Sequence, residues 1–410
     1  MELFKSSIIT IGDELVSGFR TDTNSTWIAS QLHLINIDVH SIHSVPDNLK
    51  QIIKSLQLQI SLKIDYVFIT GGLGPTNDDK TLESVKKFLG SNYFLDKNYS
   101  LYLKSKFKNI DYRDMIKNQS TKIDGVNYLS NPKGSALPFY FTKNNTTFFV
   151  MPGVPIEMKN IFKNQIKRLI NKKSKKRITA NLLTSGLGES LLSNKINDII
   201  KTYSKNIKFS FLPNYGGVVV RLESIDSDKK LFKEVKNNIK KKFNKYFVTE
   251  DDISLPEFVL KLLSEKELNL SIAESCTGGF MSKIITDFSG SSKIFKGSVI
   301  AYSNEIKEKI LKIPSQILLK HGAVSEMTSI KMCKSVNDIF KTDISVSTTG
   351  ISGPEGGSVE KPVGLVYISV MFENDIITKK FIFNKDRDIN RKITISAALN
   401  MIRELVLRKK

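Results

Sequence analysis

The sequence predicts an α/β protein with two three-layer α/β/α domains joined by a small α+β domain. Strand patterns alternate with helix patterns in both large blocks, which is typical of mostly parallel, doubly wound sheets covered by helices. Glycine-rich turns follow buried strands, at the sheet edge where such folds bind ligands. A length of 410 residues is enough for two or three domains.

The first domain is predicted over residues 1–172. Apolar runs bounded by polar turns indicate strands, and apolar residues at helical spacing indicate helices. The predicted strands are Ile8–Ile11, Asp38–Ser44, Tyr66–Thr70 and Phe148–Met151, and the predicted helices are Asn24–Leu34, Leu49–Leu62 and Glu157–Lys172. The turns Gly12–Gly18 and Gly71–Asp79 follow two of these strands.

A small α+β domain is predicted over residues 177–250, and a third domain over residues 254–410. The linkers are Asn171–Arg177 and the acidic Glu250–Asp252. For the small domain we expect helices near Leu191–Thr202 and Lys229–Lys242 and strands at Phe209–Phe211 and Val218–Leu222. The third domain repeats the α/β alternation, with a helix at Leu255–Lys266 and strands at Leu270–Ala273, Gly297–Tyr302, Ile344–Thr348 and Val363–Met371.

The net charge of +21 suggests a nucleic-acid partner, but the distribution of charge does not. Arginine, which binds bases and phosphates with two parallel hydrogen bonds, is sparse. The basic runs Lys172–Arg177 and Lys240–Lys242 fall in a linker and at the end of an amphipathic helix, so we interpret them as solvated faces. We expect no nucleic-acid partner.

The two cysteines, Cys276 and Cys333, cannot form a disulfide framework or a structural zinc site, which favours a reducing compartment. No apolar run approaches the ~18 residues of a membrane span, and the start of the chain shows no secretory signal. We therefore expect a cytoplasmic protein with no membrane partner.

Ser275 is a candidate nucleophile for hydrolysis. It follows a strand and is predicted to open a helix through Cys276-Thr277-Gly278-Gly279, where several backbone N–H groups point at one spot. That geometry suits an oxyanion or a phosphate. His321, the one histidine of this block, lies in a predicted loop and nothing pairs it with a serine.

A serine nucleophile needs a base, and Lys307 is the candidate. It lies five residues after Tyr302, which ends a predicted strand and could orient or relay the proton. Burial at a strand end would lower the lysine pKa. On spacing alone, however, a surface lysine is the better interpretation. Cys276 competes evenly with Ser275, because a helix N-terminus lowers the pKa of a thiol.

Two further segments are candidates for substrate contacts. Gly350–Gly364 is a long loop punctuated by glycines, of a kind that often closes over a ligand, although a plain connection is the alternative. Gly290, Ser291 and Ser292 form a cluster of small residues suited to phosphate contacts.

Six segments of the third domain resemble, in order and spacing, the C-terminal domain of the CinA family. They are AESCTGG (Ala273–Gly279), SGSS (Ser289–Ser292), AYSNEIK (Ala301–Lys307), HGAVSE (His321–Glu326), TGISGPEGGSVEKPVG (Thr349–Gly364) and DRD (Asp386–Asp388). The resemblance implies a nicotinamide-mononucleotide (NMN) deamidase, which releases ammonia and leaves nicotinate mononucleotide without a cofactor. It implies Ser275 as nucleophile, Lys307 as base and Tyr302 as an assisting residue.

The same resemblance implies a set of substrate-binding residues, namely Thr277, Gly278, Gly279, Gly290, Ser291, Ser292, Gly350, Gly353 and Arg387. One departure concerns the last of them. The family usually has Gly-Asp-Arg before the final helix, where this chain has Lys385-Asp386-Arg387. The lost glycine bears on the turn that presents Arg387.

The sequence of the first domain predicts a site for a metal ion and a phosphate group. The acid pairs Asp13-Glu14 and Asp78-Asp79 at strand ends suggest a divalent metal ion with oxygen ligands, and the turn Thr70, Gly71, Gly72 and Gly74 suggests a phosphate loop. For Asp78 or Asp79 alone, a helix cap is the better interpretation.

Three segments of the first domain are similar to the N-terminal domain of the CinA family, which is related to molybdopterin-binding proteins. They are IGDELVSGFRTDTNS (Ile11–Ser25), TGGLGPTNDDKT (Thr70–Thr81) and MPGVPIEM (Met151–Met158). The resemblance implies a metal-dependent ADP-ribose pyrophosphatase. In the segment Asn131–Phe139, an added Leu137 and Phe139 in place of a glycine depart from the family pattern, and we expect them to crowd the phosphate loop and weaken this activity.

The small domain resembles the KH-like connecting domain of the family through GLGES (Gly186–Ser190) and GGVVVRL (Gly216–Leu222). The GXXG loop of RNA-binding KH domains is missing, so we expect a spacer or a dimerisation role and a homodimer. The leading hypothesis is an enzyme of pyridine-nucleotide salvage acting on NMN and ADP-ribose. The alternative is a non-catalytic nucleic-acid accessory protein, as the competence and damage name of the family suggests.

Overall fold

The structure is a computed structural model that describes residues 4–76, 78–107, 113–170, 177–225 and 228–408. The chain divides into two compact units, Met1–Lys176 and Arg177–Lys410. The predicted linker Asn171–Arg177, with its basic run, lies outside the described residues except for Arg177. No helix within the described ranges combines the length and the apolar character needed to cross a membrane.

The first unit contains a six-stranded sheet, a two-stranded sheet and eight α-helical segments among its described residues. Its strands are β1 (Lys5–Ile11), β2 (Asp38–Val45), β3 (Tyr66–Thr70), β4 (Tyr93–Leu95), β5 (Thr121–Ile123), β6 (Asn127–Tyr128), β7 (Phe139–Lys143) and β8 (Thr146–Met151). Its helices are α1 (Asp13–Val16), α2 (Thr23–Leu34), α3 (Leu49–Ser61), α4 (Thr81–Leu89), α5 (Lys97–Lys106), α6 (Arg113–Ser120), α7 (Pro155–Ile161) and α8 (Lys167–Leu169).

The large sheet has the strand order β2-β1-β3-β8-β7-β6. Its first four strands run parallel, and β7 pairs antiparallel with β8 and with β6. Alternate residues of β1 enter separate cores, because successive side chains of a strand point to opposite faces. Ile8 packs with Ile28 of α2, whereas Ile9 packs with Ile52 of α3. Helices thus cover both faces, which confirms the α/β prediction for this unit.

The predicted helix Glu157–Lys172 differs in detail. Proline occupies the first turn of α7, where its missing N–H costs nothing and its fixed φ favours the helix. The helix then widens into a π-helical turn over Phe162–Ile166 before α8. The apolar spacing that predicts one regular helix therefore spans three segments.

The second unit contains a four-stranded and a five-stranded sheet. Its strands are β9 (Arg177–Thr184), β10 (Lys208–Asn214), β11 (Gly217–Ile225), β12 (Phe247–Thr249), β13 (Leu270–Glu274), β14 (Phe295–Ile300), β15 (Ile344–Gly350), β16 (Leu365–Phe372) and β17 (Asp375–Ile382). Its helices are α9 (Glu189–Lys195), α10 (Asn197–Tyr203), α11 (Lys229–Phe243), α12 (Leu255–Glu265), α13 (Phe280–Thr286), α14 (Asn304–Lys309), α15 (Ser315–His321), α16 (Glu326–Phe340) and α17 (Arg387–Arg408).

The four-stranded sheet, ordered β10-β11-β9-β12, covers the range predicted as the small α+β domain. The five-stranded sheet has the order β14-β13-β15-β16-β17, with β13 parallel to both of its neighbours. Chain contacts group both sheets into one unit, so the predicted three-domain division stays a prediction.

Strand β13 sends its side chains alternately to two cores. Ile272 lies in the cluster that includes residues of α12, α13 and α17, whereas Ala273 lies in the cluster formed with α15 and α16. By the same alternation, Glu274 points to the first side and Ser275 to the second. This alternation sets the chemistry of the site described below.

Arg403 joins helix α17 to the four-stranded sheet within the second unit. Its side chain is almost fully buried and donates to the carbonyl oxygens of Phe247 and Lys245, each at 2.8 Å, and to Asn400 Oδ1 at 3.0 Å. A buried guanidinium is tolerated here because these acceptors replace its lost water.

We predict that Arg403→Met lowers the free energy of unfolding by about 2 kcal/mol, because two buried carbonyl groups lose their donors. Urea denaturation of the variant and the wild type measures the difference. Arg408→Met, at the exposed end of the same helix, is the matched control and should change stability little. Equal stability of the Arg403 variant and the wild type would show that these hydrogen bonds between helix α17 and the four-stranded sheet do not stabilise the fold.

Candidate active site

Ser275 lies at the carboxyl end of β13, in a tight turn that precedes α13. Its N–H donates to the Thr348 carbonyl at 2.9 Å, which extends the β13–β15 pairing by one residue. The chain then turns through Gly278 and Gly279, whose φ angles of 59° and 85° are left-handed and favour glycine. Helix α13 starts only at Phe280, so the predicted helix opening at Ser275 is a turn instead.

The N–H groups at the start of α13 are used by the chain itself. The buried carboxylate of Glu274 accepts hydrogen bonds from the N–H groups of Met281 and Ser282, at 3.1 and 2.9 Å, and from the Ser282 hydroxyl at 2.6 Å. The predicted anion site at this helix end is therefore filled by Glu274. Within the described residues, the N–H groups of Thr277 and Gly279 donate to no acceptor of the chain, so the turn has two unused donors.

Lys307 lies beside Ser275. Its Nζ is 3.1 Å from Ser275 Oγ and donates to the Ala301 carbonyl oxygen at 2.7 Å. The side chain is only 1% exposed, although it belongs to a short helix on a lysine-rich surface. Helix α14 begins at a cap in which Ser303 Oγ accepts from the Ile306 N–H, and this cap orients the helix so that Lys307 points inward.

Burial lowers the pKa of Lys307 from its usual range. No carboxylate within the described residues forms an ion pair with it, so no salt bridge offsets the cost of burying the ammonium form. Glu274, the nearest acid in sequence to Ser275, is turned to the opposite face of β13. A lysine in this environment is suited to accept a proton from a neighbouring hydroxyl.

The alternatives that spacing leaves open are distinguished by this geometry. Lys307 is buried rather than on the surface, and Ser275 rather than Cys276 meets its amine. Cys276 packs into the apolar core, where burial raises the pKa of its thiol to about 12. His321 ends helix α15, and its carbonyl oxygen accepts from Lys361.

Tyr302 and Arg387 meet at the mouth of the site. Arg387 donates from Nη2 to the Tyr302 hydroxyl and from Nη1 to the Gly353 carbonyl oxygen, each at 2.9 Å. A side-chain carbon added at Gly278 would lie 3.7 Å from Arg391 Nη2 and 4.0 Å from the Tyr302 ring. The structure therefore brings these five residues together around the nucleophile turn.

The turn before Arg387 does not need the glycine that the family has there. Asp386 Oδ1 accepts from the Ile389 N–H at 2.9 Å and caps helix α17, which begins at Arg387. Lys385 is not among the residues with a left-handed φ, so a side chain is tolerated at this position. The departure Lys385-Asp386-Arg387 leaves Arg387 presented to the site.

The loop Gly350–Gly364 leaves β15 at the same sheet edge as Ser275. Its glycines serve close packing, since a side-chain carbon at Gly350 would lie 2.6 Å from the Leu365 carbonyl oxygen. Ser352 Oγ donates to the Cys276 carbonyl at 3.3 Å, and Thr277 Oγ1 lies 2.8 Å from Thr348 Oγ1. The Thr277 hydroxyl therefore ties the turn to β15.

Gly290, Ser291 and Ser292 are placed elsewhere. They form a short 3₁₀ turn before β14, next to the start of β13, where the Leu270 N–H donates to the Ile294 carbonyl. Strand β13 rises about 3.3 Å per residue, so Leu270 and Ser275, five residues apart, are separated by roughly 16 Å. Within one chain, the structure does not bring this predicted phosphate cluster to Ser275.

In the first unit, a cleft of about 540 Å³ lies at the carboxyl ends of β1, β3 and β8. Glycine is required on its floor: a side-chain carbon at Gly71 would lie 2.0 Å from the Ile11 carbonyl oxygen, and one at Gly72 would lie 2.2 Å from Thr81 Oγ1. Both glycines also have left-handed φ angles. The predicted loop therefore packs tightly against β1 and α4.

Two other residues of the predicted phosphate loop are already bonded within the chain. The Thr70 hydroxyl donates to the Pro152 carbonyl at 2.8 Å and accepts from Asn24 at 3.2 Å. The Gly74 N–H donates to Asp79 Oδ1 at 2.7 Å. Thr70 is thus a packing residue, and Asp79 closes the glycine loop from inside.

Glu14, Asp78 and Asp79, three of the predicted metal ligands, line this cleft, but their carboxylates do not form a metal-binding group. Asp13 and Asp47 accept from each other's backbone N–H groups at 3.2 Å, and Asp79 also accepts from the Thr76 N–H. In the parts of the chain that the structure describes, no three His, Cys, Asp or Glu side chains come together to hold a metal ion. The assignment of Asp13, Glu14, Asp78 and Asp79 to a metal stays a prediction.

Sequence reasoning misses three charged residues that the structure brings to these sites. Asp47 lies in the cleft with Glu14, and its pKa is raised by burial and by the negative charges of Asp13, Asp79 and Glu14. Its position two residues after strand β2 is the available signal. Glu274 and Arg391 are the other two, and their signals were adjacency to Ser275 and a four-residue helical step from Arg387.

Phe139 does not crowd the cleft, contrary to expectation. It is the first residue of β7, is fully buried and packs in the core against Phe141. Asn131 bridges the segment instead, donating to the Ala136 carbonyl at 2.8 Å and to Glu157 at 2.7 Å. The aromatic residue begins a strand at the position where the family pattern has a loop glycine.

Matches to known proteins cover almost the whole chain. Residues 252–406 match the family model described as CinA C-terminal domain, and residues 7–172 match the one described as probable molybdopterin binding domain. A CinA-like protein of Prochlorococcus marinus is 36% identical over 418 residues, covering 98% of this chain and 95% of its own. A CinA-like protein of Thermosipho melanesiensis is 36% identical over 411 residues, covering 98% and 99%.

Among solved structures, the competence/damage inducible protein CihA from Agrobacterium tumefaciens is 31% identical in sequence. The match covers 37% of this chain and 93% of that one, with a TM-score of 0.36.

We predict that neither thiol of the folded protein reacts readily at mildly alkaline pH. Cys276 and Cys333 are both buried, and burial raises the pKa of each to about 12, so almost no thiolate forms. A colorimetric thiol titration before and after unfolding measures this, with both thiols appearing only on unfolding. Rapid labelling of Cys276 in the folded protein would restore it as the competing nucleophile.

We also predict that the stability of the wild type, relative to Lys307→Met, rises with pH. The folded pKa of Lys307 lies below the ordinary value of 10.5, so between these two values the unfolded state binds more protons. The cost of the buried ammonium is full below the folded pKa and disappears above 10.5. Urea denaturation from neutral pH to about pH 10 measures this difference.

Lys309→Met is the control for this linkage, because Lys309 is exposed on the same helix and pairs with Glu305. Its stability difference from the wild type should vary little over the same range. A Lys307→Met difference equally flat with pH would show that Lys307 titrates normally in the folded protein.

Proposed function

The chain belongs to the CinA family, and we propose that its Ser275–Lys307 pair hydrolyses the carboxamide of NMN to nicotinate mononucleotide and ammonia. The observation that carries the proposal is the 3.1 Å approach of a buried amine without a carboxylate partner to a serine hydroxyl at a strand end. The resemblance of the third domain to the CinA C-terminal domain suggests the substrate, and the geometry supports Ser275 as the nucleophile and Lys307 as the base.

The first step transfers a proton from Ser275 Oγ to Lys307 Nζ while Oγ attacks the carboxamide carbon. The neutral amine keeps one N–H on the Ala301 carbonyl and directs its lone pair at the hydroxyl. Negative charge develops on the carboxamide oxygen, and the N–H groups of Thr277 and Gly279 are the donors available in the turn.

The second step breaks the C–N bond. The ammonium of Lys307 returns its proton to the leaving nitrogen, which departs as ammonia, and an ester joins Ser275 to the nicotinoyl group. Water then attacks this ester, with Lys307 again accepting a proton, and the carboxylate product leaves as Ser275 regains its hydrogen. One amine serves both steps because it alternates between base and acid.

Tyr302 and Arg387 suit the rest of the substrate. Arg387 forms no ion pair among the described residues, so its positive charge is available to an anionic mononucleotide at the mouth of the site. In our proposal, Arg387 binds the phosphate, and Tyr302, fixed by Arg387, orients the reacting end.

For the first unit, the ADP-ribose pyrophosphatase prediction has support from the position of the cleft and from its carboxylates, Glu14, Asp47 and Asp79. We derive no metal-dependent step, since these residues do not form a metal-binding group in the described parts of the chain. Incubation with ADP-ribose and Mg²⁺ or Mn²⁺, with AMP as the readout and Asp47→Asn as the variant, tests the activity. An absence of AMP with both metals would reject it.

We predict that purified wild type releases ammonia and nicotinate mononucleotide from NMN, and that Ser275→Ala and Lys307→Ala each lower kcat by at least about 10³-fold. Removing either partner leaves no activated nucleophile. Ammonia release, with chromatographic identification of the product, measures the rate.

Lys309→Ala and Cys276→Ala are the matched controls, and both should retain activity. The first removes an exposed lysine of the same helix, and the second removes the buried thiol next to the nucleophile. Full activity in Ser275→Ala would reject the serine mechanism. A wild type that leaves NMN unchanged would reject the amidase.

A further inference from the structure

We propose that Arg391 is a positioning residue, which holds the nucleophile turn so that Ser275 Oγ stays within reach of Lys307. The proposal rests on the amidase function proposed above. Arg391 donates from Nε and from Nη2 to the Thr277 carbonyl oxygen, at 3.2 and 2.7 Å. Thr277 is two residues after the nucleophile, inside the turn.

The turn has anchors on two sides. From the sheet, the Thr348 carbonyl accepts from the Ser275 N–H and the Thr348 hydroxyl contacts that of Thr277. From the helix layer, the guanidinium of Arg391 holds the Thr277 carbonyl. Two left-handed glycines follow at once, so the turn has little stiffness of its own. The position of Ser275 Oγ therefore depends on these outside contacts.

Arginine is suited to this task for two reasons. Its planar fork places two donors on one carbonyl oxygen, which fixes direction as well as distance. Its face lies over the Phe280 ring, 5.2 Å from the centroid, and this contact orients the guanidinium. Among the described residues no carboxylate pairs with Arg391, so no competing ion pair draws it away from the turn.

Arg391 also belongs to the helix that Arg403 joins to the four-stranded sheet. The two residues are 12 positions apart on α17, or about 18 Å at 1.5 Å per residue. A helix held at its far end is a firm base from which to fix a turn. The anchor is therefore part of the unit's packing rather than of a mobile loop.

The consequence for catalysis is specific. A displacement of the nucleophile by about 1 Å can cost about 10²-fold in rate, because the reacting atoms must be near attack distance. Loss of Arg391 should lower kcat by about 10- to 10²-fold and change KM less than about twofold. The pH midpoint of the rate should stay unchanged, because Arg391 acts on the turn and not on the ionisation of Lys307.

The experiment uses the full-length protein with Arg391→Ala, Arg391→Lys and the control Lys392→Met. Lys392 is the next residue on the helix and pairs with Asp388 outside the turn. NMN turnover gives kcat, KM and the pH profile. A second readout needs no natural substrate: acetylation of Ser275 by p-nitrophenyl acetate, in which Oγ bonds to the acetyl carbon and nitrophenolate leaves, is followed by absorbance and peptide mass.

We expect both rates to fall in Arg391→Ala, to recover partly in Arg391→Lys, and to rise again when guanidinium ion is added to Arg391→Ala at a concentration that does not unfold it. Lys392→Met should behave as wild type. Thermal unfolding of each variant shows whether it is folded. If Arg391→Ala does not fold, the rates of Arg391→Lys decide the test.

Unchanged kcat and acetylation in a folded Arg391 variant would overturn the proposal, and so would a loss confined to KM, which would make Arg391 a substrate contact. If the wild type does not hydrolyse NMN but is acetylated at Ser275, the amidase proposal fails. The acetylation rates of the variants then still decide the role of Arg391. A wild type that neither hydrolyses NMN nor becomes acetylated at Ser275 would overturn both.

Discussion

The site in the second unit depends on one constraint, the burial of an amine next to a hydroxyl with no carboxylate to neutralise it. A surface lysine at pH 7 carries a proton and cannot act as a base, whatever its distance from a serine. Lys307 escapes this because its helix turns it into the unit, where the ammonium form is costly. The alternation of side chains along β13 completes the arrangement, since it removes Glu274 from the face that Lys307 shares with Ser275.

Glu274 then has a separate use. A buried carboxylate would be costly without donors, and the first N–H groups of α13 supply them. The carboxylate of Glu274 could have formed an ion pair that kept Lys307 protonated. It is instead hydrogen-bonded to the start of α13, on the opposite side of the strand. Residues 274 and 275 are neighbours in sequence, but the pleat of the strand places one in structural packing and the other in the reacting pair.

The fold class was predictable from sequence because it depends on local periodicity, and the alternation of strands and helices is local. The antiparallel strand β7 beside β8 was not expected, because pairing direction is set by chain connection rather than by residue pattern. Phe139 shows the same limit, since an aromatic residue in a loop pattern gives no sign that a strand begins there. Gly290–Ser292 were grouped with Ser275 by residue type, although strand β13 separates them.

The pairing of Ser275 with Lys307 lay between these cases. The two residues are 32 positions apart, and spacing alone favoured an ordinary surface lysine. The family resemblance points to the pair. The physical reason for its reactivity is the burial of Lys307 without a counter-ion, and this burial depends on how separate elements of the fold pack together. Arg391 and Asp47 were missed because each acts through a backbone contact or a shared cleft, which residue identity does not reveal.

The two units illustrate why residue types at strand ends predict a site less securely than their contacts do. In the first unit, Asp79 and Thr70 carry chemistry-bearing side chains, yet both are already bonded to their own chain. In the second unit, the hydroxyl of Ser275 lies next to the amine of Lys307, which can lose its proton. The groups around this pair are hydrogen-bonded to other residues. A polar side chain that is satisfied within the fold stabilises the fold. One whose partner can exchange a proton is available for reaction, and that difference makes Ser275–Lys307 the stronger candidate for catalysis.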